Sequence, residues 1–403
     1  MAKDTSTNLD ILEIPEMKVD GLPAVIDDIS VAFAIGFRPR SVWWLILHPA
    51  AAWRVFQIAK ASGKMRTIHA PSEPMDLLSR RIRSVFLLPL VARLGAHVSA
   101  YRKGLNTVNA VTQHIQDCPV CAVHDVPHTC VHAFEETATG YRVDKGDTDC
   151  VACGQPAKHS PCPRRGVKVH LDLKDFFSNT RASWIREYFM EVVGYSYRVA
   201  DFLASIMTVR LDVEAWSQRK LVKRTIRGVP QGAPTSGDIC NLVADHRLDW
   251  RIKQETERAG WTYTRYADDL YFSHPQNLPA EDVWAMIGSV TKAVVAAGWQ
   301  INRKKIRIQR PRYQQVLLGA TLNRKVNIPK QQYREIRRTI HRCWRDGFDA
   351  EGLRHGKSGG QMKHWLGGVV SWFSTLNKAK ANRLKVVLEA AKEKHNERYN
   401  DAA

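Results

Sequence analysis

The sequence predicts an α+β fold, and three observations carry that expectation. First, two short runs in which apolar and aromatic residues flank acids, Val169 to Phe177 and Tyr263 to Phe272, read as strands and a tight hairpin. Second, stretches with helical apolar spacing lie between and after them, at 183–208, 238–259 and 281–297. Third, everything from Pro329 onward is helical and basic; in Tyr333 to Arg345, Ile336, Ile340 and Cys343/Trp344 share one face and arginines occupy the rest.

At 403 residues with 44% hydrophobic residues, the chain is long enough for two or three domains with real cores. A formal net charge of +20 favours a polyanionic partner. No 18-residue uncharged apolar run exists, which argues against a membrane protein. The start, MAKDTSTNLD, lacks the basic and apolar regions of a signal peptide, so a cytoplasmic location is expected. Six of the eight cysteines fall between Cys118 and Cys162. In a reducing compartment such clustered pairs read as metal ligands rather than disulfides.

The stretch Tyr-Thr-Arg-Tyr-Ala-Asp-Asp-Leu-Tyr-Phe places Asp268 and Asp269 at the tip of a hairpin. Taken alone, the pair reads as a solvated turn. Asp172 changes that reading, because it lies inside an alternating apolar strand where an unpaired charge is costly. A shared Mg²⁺ would remove the cost, since Mg²⁺ takes carboxylate and phosphate oxygens and two such ions can clamp a phosphoryl displacement. Between them, Arg227 to Asn241 is a Gly/Pro loop running into an apolar helix, backbone that can approach a nucleotide closely.

Asp172 in LDLKDFF, Gln231 in GVPQGAPTS and Asp268-Asp269 in YADD come in the order and spacing of a reverse transcriptase. The chain resembles bacterial reverse transcriptases of the retron, group II intron and defence-associated group over roughly residues 40 to 380. The resemblance implies a right-hand polymerase of fingers, palm and thumb; a small zinc-ribbon-like insert before the catalytic palm strand is read from the cysteine spacing and is not a general feature of that family. The expected divisions are an N-terminal arm (1–25), fingers and the start of the palm (26–115), a zinc-binding insert (116–165), the palm (166–325) and a helical basic thumb (326–403). It further implies template-directed addition of dNMP to a primer 3′-hydroxyl, with two Mg²⁺ ions held by Asp172, Asp268 and Asp269. Arg66 and then Lys60, on a hairpin spanning Arg54 to Pro71, are its candidates for the triphosphate. Asp175 would order the nucleotide pocket, and Phe177 would exclude a ribose 2′-hydroxyl. Gln231 would contact the nucleotide from the other side, and Lys305 would stabilise or protonate the departing phosphate.

Three segments depart from the family pattern. One extra residue separates Asn109-Ala110 from His114, Leu317-Leu318-Gly319 stands where retrons often have Val-Thr-Gly, and Gly237 stands where the family usually has proline. That glycine is expected to loosen a helix start while keeping every ligand. Trp43, Trp44 and Trp53 are expected on buried faces, and residues 74–96 as one amphipathic helix.

The insert holds Cys118-x-x-Cys121, Cys130-x-His132, Cys150-x-x-Cys153, His159 and Cys162. Tetrahedral Zn²⁺ needs four ligands, and two arrangements fit. In one, Cys118, Cys121, Cys150 and Cys153 form a single site. In the other, slightly preferred because it uses all six cysteines, Cys118, Cys121, Cys130 and His132 form one site and Cys150, Cys153, His159 and Cys162 a second; His124 and His128 are spare candidates. With few large apolar residues, the insert needs a metal to fold.

The leading expectation is an RNA-directed DNA polymerase dedicated to its own structured RNA, as in retrons, making RNA-linked single-stranded DNA in phage defence. Partners would be that RNA, its DNA product and dNTPs, with room for an effector or toxin protein. A non-retron defence reverse transcriptase is the nearest alternative. A non-catalytic RNA-binding scaffold is the alternative from another class, and three aligned carboxylates argue against it.

Overall fold

The structure, a computed structural model, describes residues 18–19, 21–59, 63, 65–115, 134–137, 140–143, 166–217, 220–311, 313–322 and 325–400. Its centre is a four-stranded antiparallel sheet formed by β3 (Lys168–Asp172), β6 (Thr262–Tyr266), β7 (Asp269–Ser273) and β8 (Arg307–Gln309), in the order β6-β7-β3-β8. The register sets Asp269 opposite Asp172, Leu270 opposite Leu171 and Tyr271 opposite His170. Side chains alternate across a strand, so the sheet has two unlike faces. Val169, Leu171, Leu270 and Phe272 point to one side and are fully buried. Asp172, His170, Asp269 and Tyr271 share the other.

The apolar face packs on helices. The stretch expected as one helix over 183–208 is two, α2 (Ala182–Glu191) and α3 (Tyr197–Met207). Gly194, at φ +81°, supplies the left-handed turn between them. The helix expected over 238–259 runs as α4 (Ser236–Ala244), a π-turn at Asp245–Asp249 and α5 (Trp250–Glu257). The long α6 (Ala280–Ala296) lies beside α5. The expected 74–96 helix also carries a π-turn, at Arg83–Leu87. Ile185, Phe189, Leu203, Ile239, Val243 and Val290 join the sheet in one core.

Of the five two-stranded antiparallel ribbons outside this sheet among the described residues, two are long. β1 (Trp53–Ala59) and β2 (Met65–Pro71) form the expected hairpin. β4 (Val209–Ser217) and β5 (Lys220–Gly228) form the second. Only one of the three tryptophans expected to be buried is so: Trp53 is 8% exposed, whereas Trp43 is 39% and Trp44 41% exposed. Both exposed rings lie on α1 (Pro39–Leu47), whose Val42 and Leu45 turn inward instead. There Trp43 donates to the Asp28 carboxylate at 2.8 Å, and Trp44 stacks on His48 at 4.8 Å.

A second core lies at the C-terminal end. The short hairpin of β9 (Val316–Leu317) and β10 (Ala320–Thr321) packs with α7 (Lys330–Asp346), α8 (Gly359–Leu376) and α9 (Lys378–Asn400) through Leu317, Ile340, Leu366, Phe373 and Leu384. Tyr271, from the polar face of the sheet, is buried in this second core. Of the tryptophan and cysteine assigned to the apolar face of α7, Cys343 is buried, while Trp344 is 39% exposed and lies under the Lys394 ammonium at 3.6 Å.

Lys60 and all eight expected zinc ligands, Cys118, Cys121, Cys130, His132, Cys150, Cys153, His159 and Cys162, lie outside the described residues, as do His124 and His128. Within that segment Phe134–Thr137 pairs antiparallel with Gly140–Val143. Among the described residues, no helix is long and apolar enough to cross a membrane.

Candidate active site

The turn between β6 and β7 carries the acidic pair, and Ala267 within it adopts φ +57°, a costly conformation for a residue with a side chain. The turn is pinned from β3, where the Leu173 amide donates to the Asp268 carbonyl at 2.8 Å. Asp172, 4% exposed, ends β3, and its carbonyl accepts from the Asn302 amide at 2.8 Å. The structure therefore brings Asp172, Asp268 and Asp269 to one end of the sheet. Lys305 donates to Asp172 Oδ1 at 2.5 Å. Burial, then the charges of Asp269 and Asp172, push the Asp268 carboxyl up to about 6, and Lys305 offsets this in part. Asp269 instead meets His170 Nε2 at 2.7 Å.

Such a cluster of hard oxygen donors with too little positive charge fits a divalent cation of the Mg²⁺ type. Two other groups of ligand-type side chains occur among the described residues, His97 with Asp245 and Asp249, and Glu187 with Glu191 and His246. Both already have cationic partners, Arg265 on Asp249 at 2.7 Å and Arg247 on Glu187.

A cavity of about 440 Å³ is lined by Arg66, Asp175, Gln231, Ser178 and Arg210, and Asp172, Asp268 and Asp269 are not among its lining residues. Asp175 begins a short turn of helix (Phe176–Asn179) in the left-handed region at φ +50°. Phe177 meets Tyr101 edge-on at 6.1 Å. The loop of Gln231 is tied to β2, whose His69 amide donates to the Gln231 carbonyl at 2.9 Å. A separate cavity of about 490 Å³, lined by Leu22, Val25, Tyr188 and His246, contains none of these residues.

Residues 58–322, well over half of the chain, match the family described as reverse transcriptase (RNA-dependent DNA polymerase). The chain belongs to the reverse transcriptase family. It is 29% identical over 370 residues to the retron Mx65 reverse transcriptase of Myxococcus xanthus, covering 90% of this chain and 71% of that protein. It is 32% identical over 191 residues to the retron Mx162 reverse transcriptase of the same organism, covering 43% of this chain and 39% of the relative. To the retron Ec86 reverse transcriptase of Escherichia coli it is 30% identical over 174 residues, covering 43% of this chain and 48% of the relative. A solved structure of telomerase from Candida albicans with a fragment of telomeric RNA is a distant likeness, with a TM-score of 0.40 and 9% identity over 86% of this chain and 60% of that one.

This reverse transcriptase carries supporting residues that its sequence pattern did not single out. Arg265, inside the YADD-bearing strand, is fully buried and donates to both Asp249 oxygens, to Asn241 Oδ1 at 2.7 Å and to the Ala267 carbonyl at 3.4 Å. It thus braces the strained turn against α4 and the π-turn. Burial costs both charges, but their mutual attraction wins: the Asp249 carboxyl is held well below its usual range and the guanidinium above its own. The only advance signal was a charge at a position where the strand should face the core. His114, in the segment where one extra residue departs from the family pattern, is fully buried and bonds Ser273 Oγ at 2.8 Å and Thr264 Oγ1 at 2.7 Å. Burial pushes its imidazole down to about 3, so it is a neutral brace.

Proposed function

We propose that this RNA-directed DNA polymerase is a retron-type enzyme. It extends a primer hydroxyl with dNTPs on a dedicated structured RNA, leaves single-stranded DNA joined to that RNA, and acts in phage defence with an effector protein. The observation that carries the polymerase chemistry is the meeting of Asp172, Asp268 and Asp269 at one end of the central sheet, with Lys305 on Asp172. The retron assignment is supported by the likeness to the retron Mx65 enzyme over 90% of the chain.

When bound by the three carboxylates, two Mg²⁺ ions would supply Lewis acidity to the attacking hydroxyl and neutralise charge on the triphosphate. The chain's own groups do the rest. Arg66 offers a fixed cation to the phosphates, and Gln231 offers a polar wall held by β2. Phe177, edge-on to Tyr101, is the ring that would exclude a 2′-hydroxyl and select dNTPs. Asp175 orders the pocket from its left-handed helix start. Lys305 supplies a cation beside Asp172 for the departing phosphate.

The Cys/His segment supports a structural zinc reading with one or two ions, by ligand spacing alone. A defence-associated reverse transcriptase outside the retrons is the second reading, favoured by the extra residue before His114 and by Leu317-Leu318-Gly319. Sequencing the nucleic acid that co-purifies from the native host separates the two. One short DNA covalently joined to one structured RNA is expected. RNA without joined DNA, or heterogeneous DNA, overturns the retron reading.

A further inference from the structure

One buried guanidinium holds two segments that flank the site. Residues 97–99 run beside β6, where the Arg265 amide donates to the His97 carbonyl at 2.7 Å and the Ser99 amide donates to the Arg265 carbonyl at 3.3 Å. Arg265 stands opposite Leu270 in register, so its side chain leaves the sheet on the face that packs on helices. There Nε and Nη2 donate to the Asp249 carboxylate at 2.9 and 2.7 Å. Nη1 serves the catalytic turn: it donates to Asn241 Oδ1 at 2.7 Å and to the Ala267 carbonyl, one residue before Asp268, at 3.4 Å. Arg265 is fully buried, so water does not compete for these bonds.

Asn241 extends the arrangement. It lies on α4 and is also fully buried. Its Oδ1 accepts from Arg265, and its Nδ2 donates to the Ala100 carbonyl at 2.7 Å. The next residue, Tyr101, is 49% exposed and sits at φ +59°, a left-handed conformation that a residue with a ring keeps only where its surroundings hold it. Gly237 lies one helical turn before Asn241 and so on the same face of α4. A Cβ there would come within 2.5 Å of the Tyr101 ring. That ring in turn meets Phe177 edge-on at 6.1 Å. A continuous set of contacts therefore runs from the turn of Asp268 through Arg265 and Asn241 to Tyr101 and Phe177.

We propose that Arg265 and Asn241 are positioning residues that hold the catalytic turn and the Tyr101 segment to one buried point, so that the carboxylates and the aromatic pair keep a fixed separation. This rests on the polymerase reading above. The role needs the planar fork of a guanidinium. A lysine would keep a charge on Asp249 but could not span Asp249, Asn241 and the Ala267 carbonyl together. A leucine would fill the Asn241 site and make neither side-chain bond. Loss of either residue lets the turn and the Tyr101 segment shift independently. A displacement of about 1 Å at a reacting group can cost about a hundredfold in rate.

The test uses the full chain with an RNA template and primer. Mn²⁺ binding is followed by electron paramagnetic resonance on the complex with a chain-terminated primer and dNTP. Arg265→Lys and Asn241→Leu are each expected to lower kcat about tenfold or more and to weaken Mn²⁺ binding several-fold. Because the two residues share one bond, the double variant should lose little more than either single variant. Tyr263→Phe is the control. It removes the hydroxyl that donates to Asp249 at 2.8 Å and leaves the bonds of Arg265 and Asn241 in place. It should lower the melting temperature while kcat and Mn²⁺ binding stay within about twofold of wild type. Wild-type kcat and Mn²⁺ binding in folded Arg265→Lys or Asn241→Leu overturn the proposal. So does activity that simply tracks melting temperature across all three variants, the mark of a purely structural role. Should Arg265→Lys not fold, Asn241→Leu read against the control decides. Failure of the wild type to extend any primer would count against the polymerase reading instead, and Mn²⁺ binding across the variants would still decide the role of the two residues.

Discussion

Asp268 sits among like charges with one lysine to offset them, and its carboxyl is pushed up to about 6. A raised carboxyl favours the fold only while it is protonated. Its contribution is present below the ordinary value of 3.8 and is lost as pH rises through about 6. In a chelating buffer Asp268→Asn should therefore be more stable than wild type at pH 8, by about 1–3 kcal/mol, with the gain shrinking towards pH 4. Thermal melts at the two pH values measure this; a gain that is absent at pH 8, or equal at both, contradicts it. At this scale the sequence was most informative about residues whose chemistry is written in short motifs. The structure brings Asp172, Asp268 and Asp269 to one end of the sheet and sets Gln231 with Arg66 and Asp175 around one cavity. Arg265, His170 and Tyr271 were not legible as partners, because each acts through cross-strand register or through contact with a helix far away in sequence. Gly237 shows the same limit. Its place in a helix start read as a loosening, yet a Cβ there would come within 2.5 Å of the Tyr101 ring, so the glycine makes room for that ring.

Strands and hairpins were read well where alternation or turn residues mark them, as in β1–β2, β3 and β6–β7. Helices were placed but not subdivided. The break at Gly194 and the π-turn at Asp245–Asp249 depend on which face each segment must bury, and residue spacing alone does not give that. The π-turn has a use: it ends on Asp249, which meets Arg265 and braces the catalytic hairpin. The exposure of Trp43 and Trp44 is a tertiary matter of the same kind, since α1 lies at the edge of the fold and buries Val42 and Leu45 instead. The Cys/His segment at 116–165 is legible only as a ligand pattern. Metal analysis of the purified chain is expected to find about one or two zinc ions per molecule, and Cys118→Ser with Cys121→Ser should remove at least one while leaving polymerase activity measurable. Absence of zinc from the intact chain contradicts that reading.

The whole molecule is two cores sharing one sheet. The apolar face serves the first core, and the polar face delivers catalytic carboxylates at one end and Tyr271 to the second core. Arg334, Arg337, Arg338 and Arg342 on α7 line open grooves on the second core, which places part of the +20 net charge where a phosphate backbone would find it. On the proposed reading, the division of labour is between carboxylates that react and basic helices that hold nucleic acid. The most direct measurement is primer extension on an RNA template with Mg²⁺ and dNTPs, run beside RNA binding, for wild type and for Asp268→Asn with Asp269→Asn. The account predicts template-dependent DNA synthesis by the wild type, a loss of roughly a thousandfold or more in the variant, and RNA affinity unchanged within about twofold. Synthesis that survives in the variant, or RNA binding that is lost with it, would contradict the account.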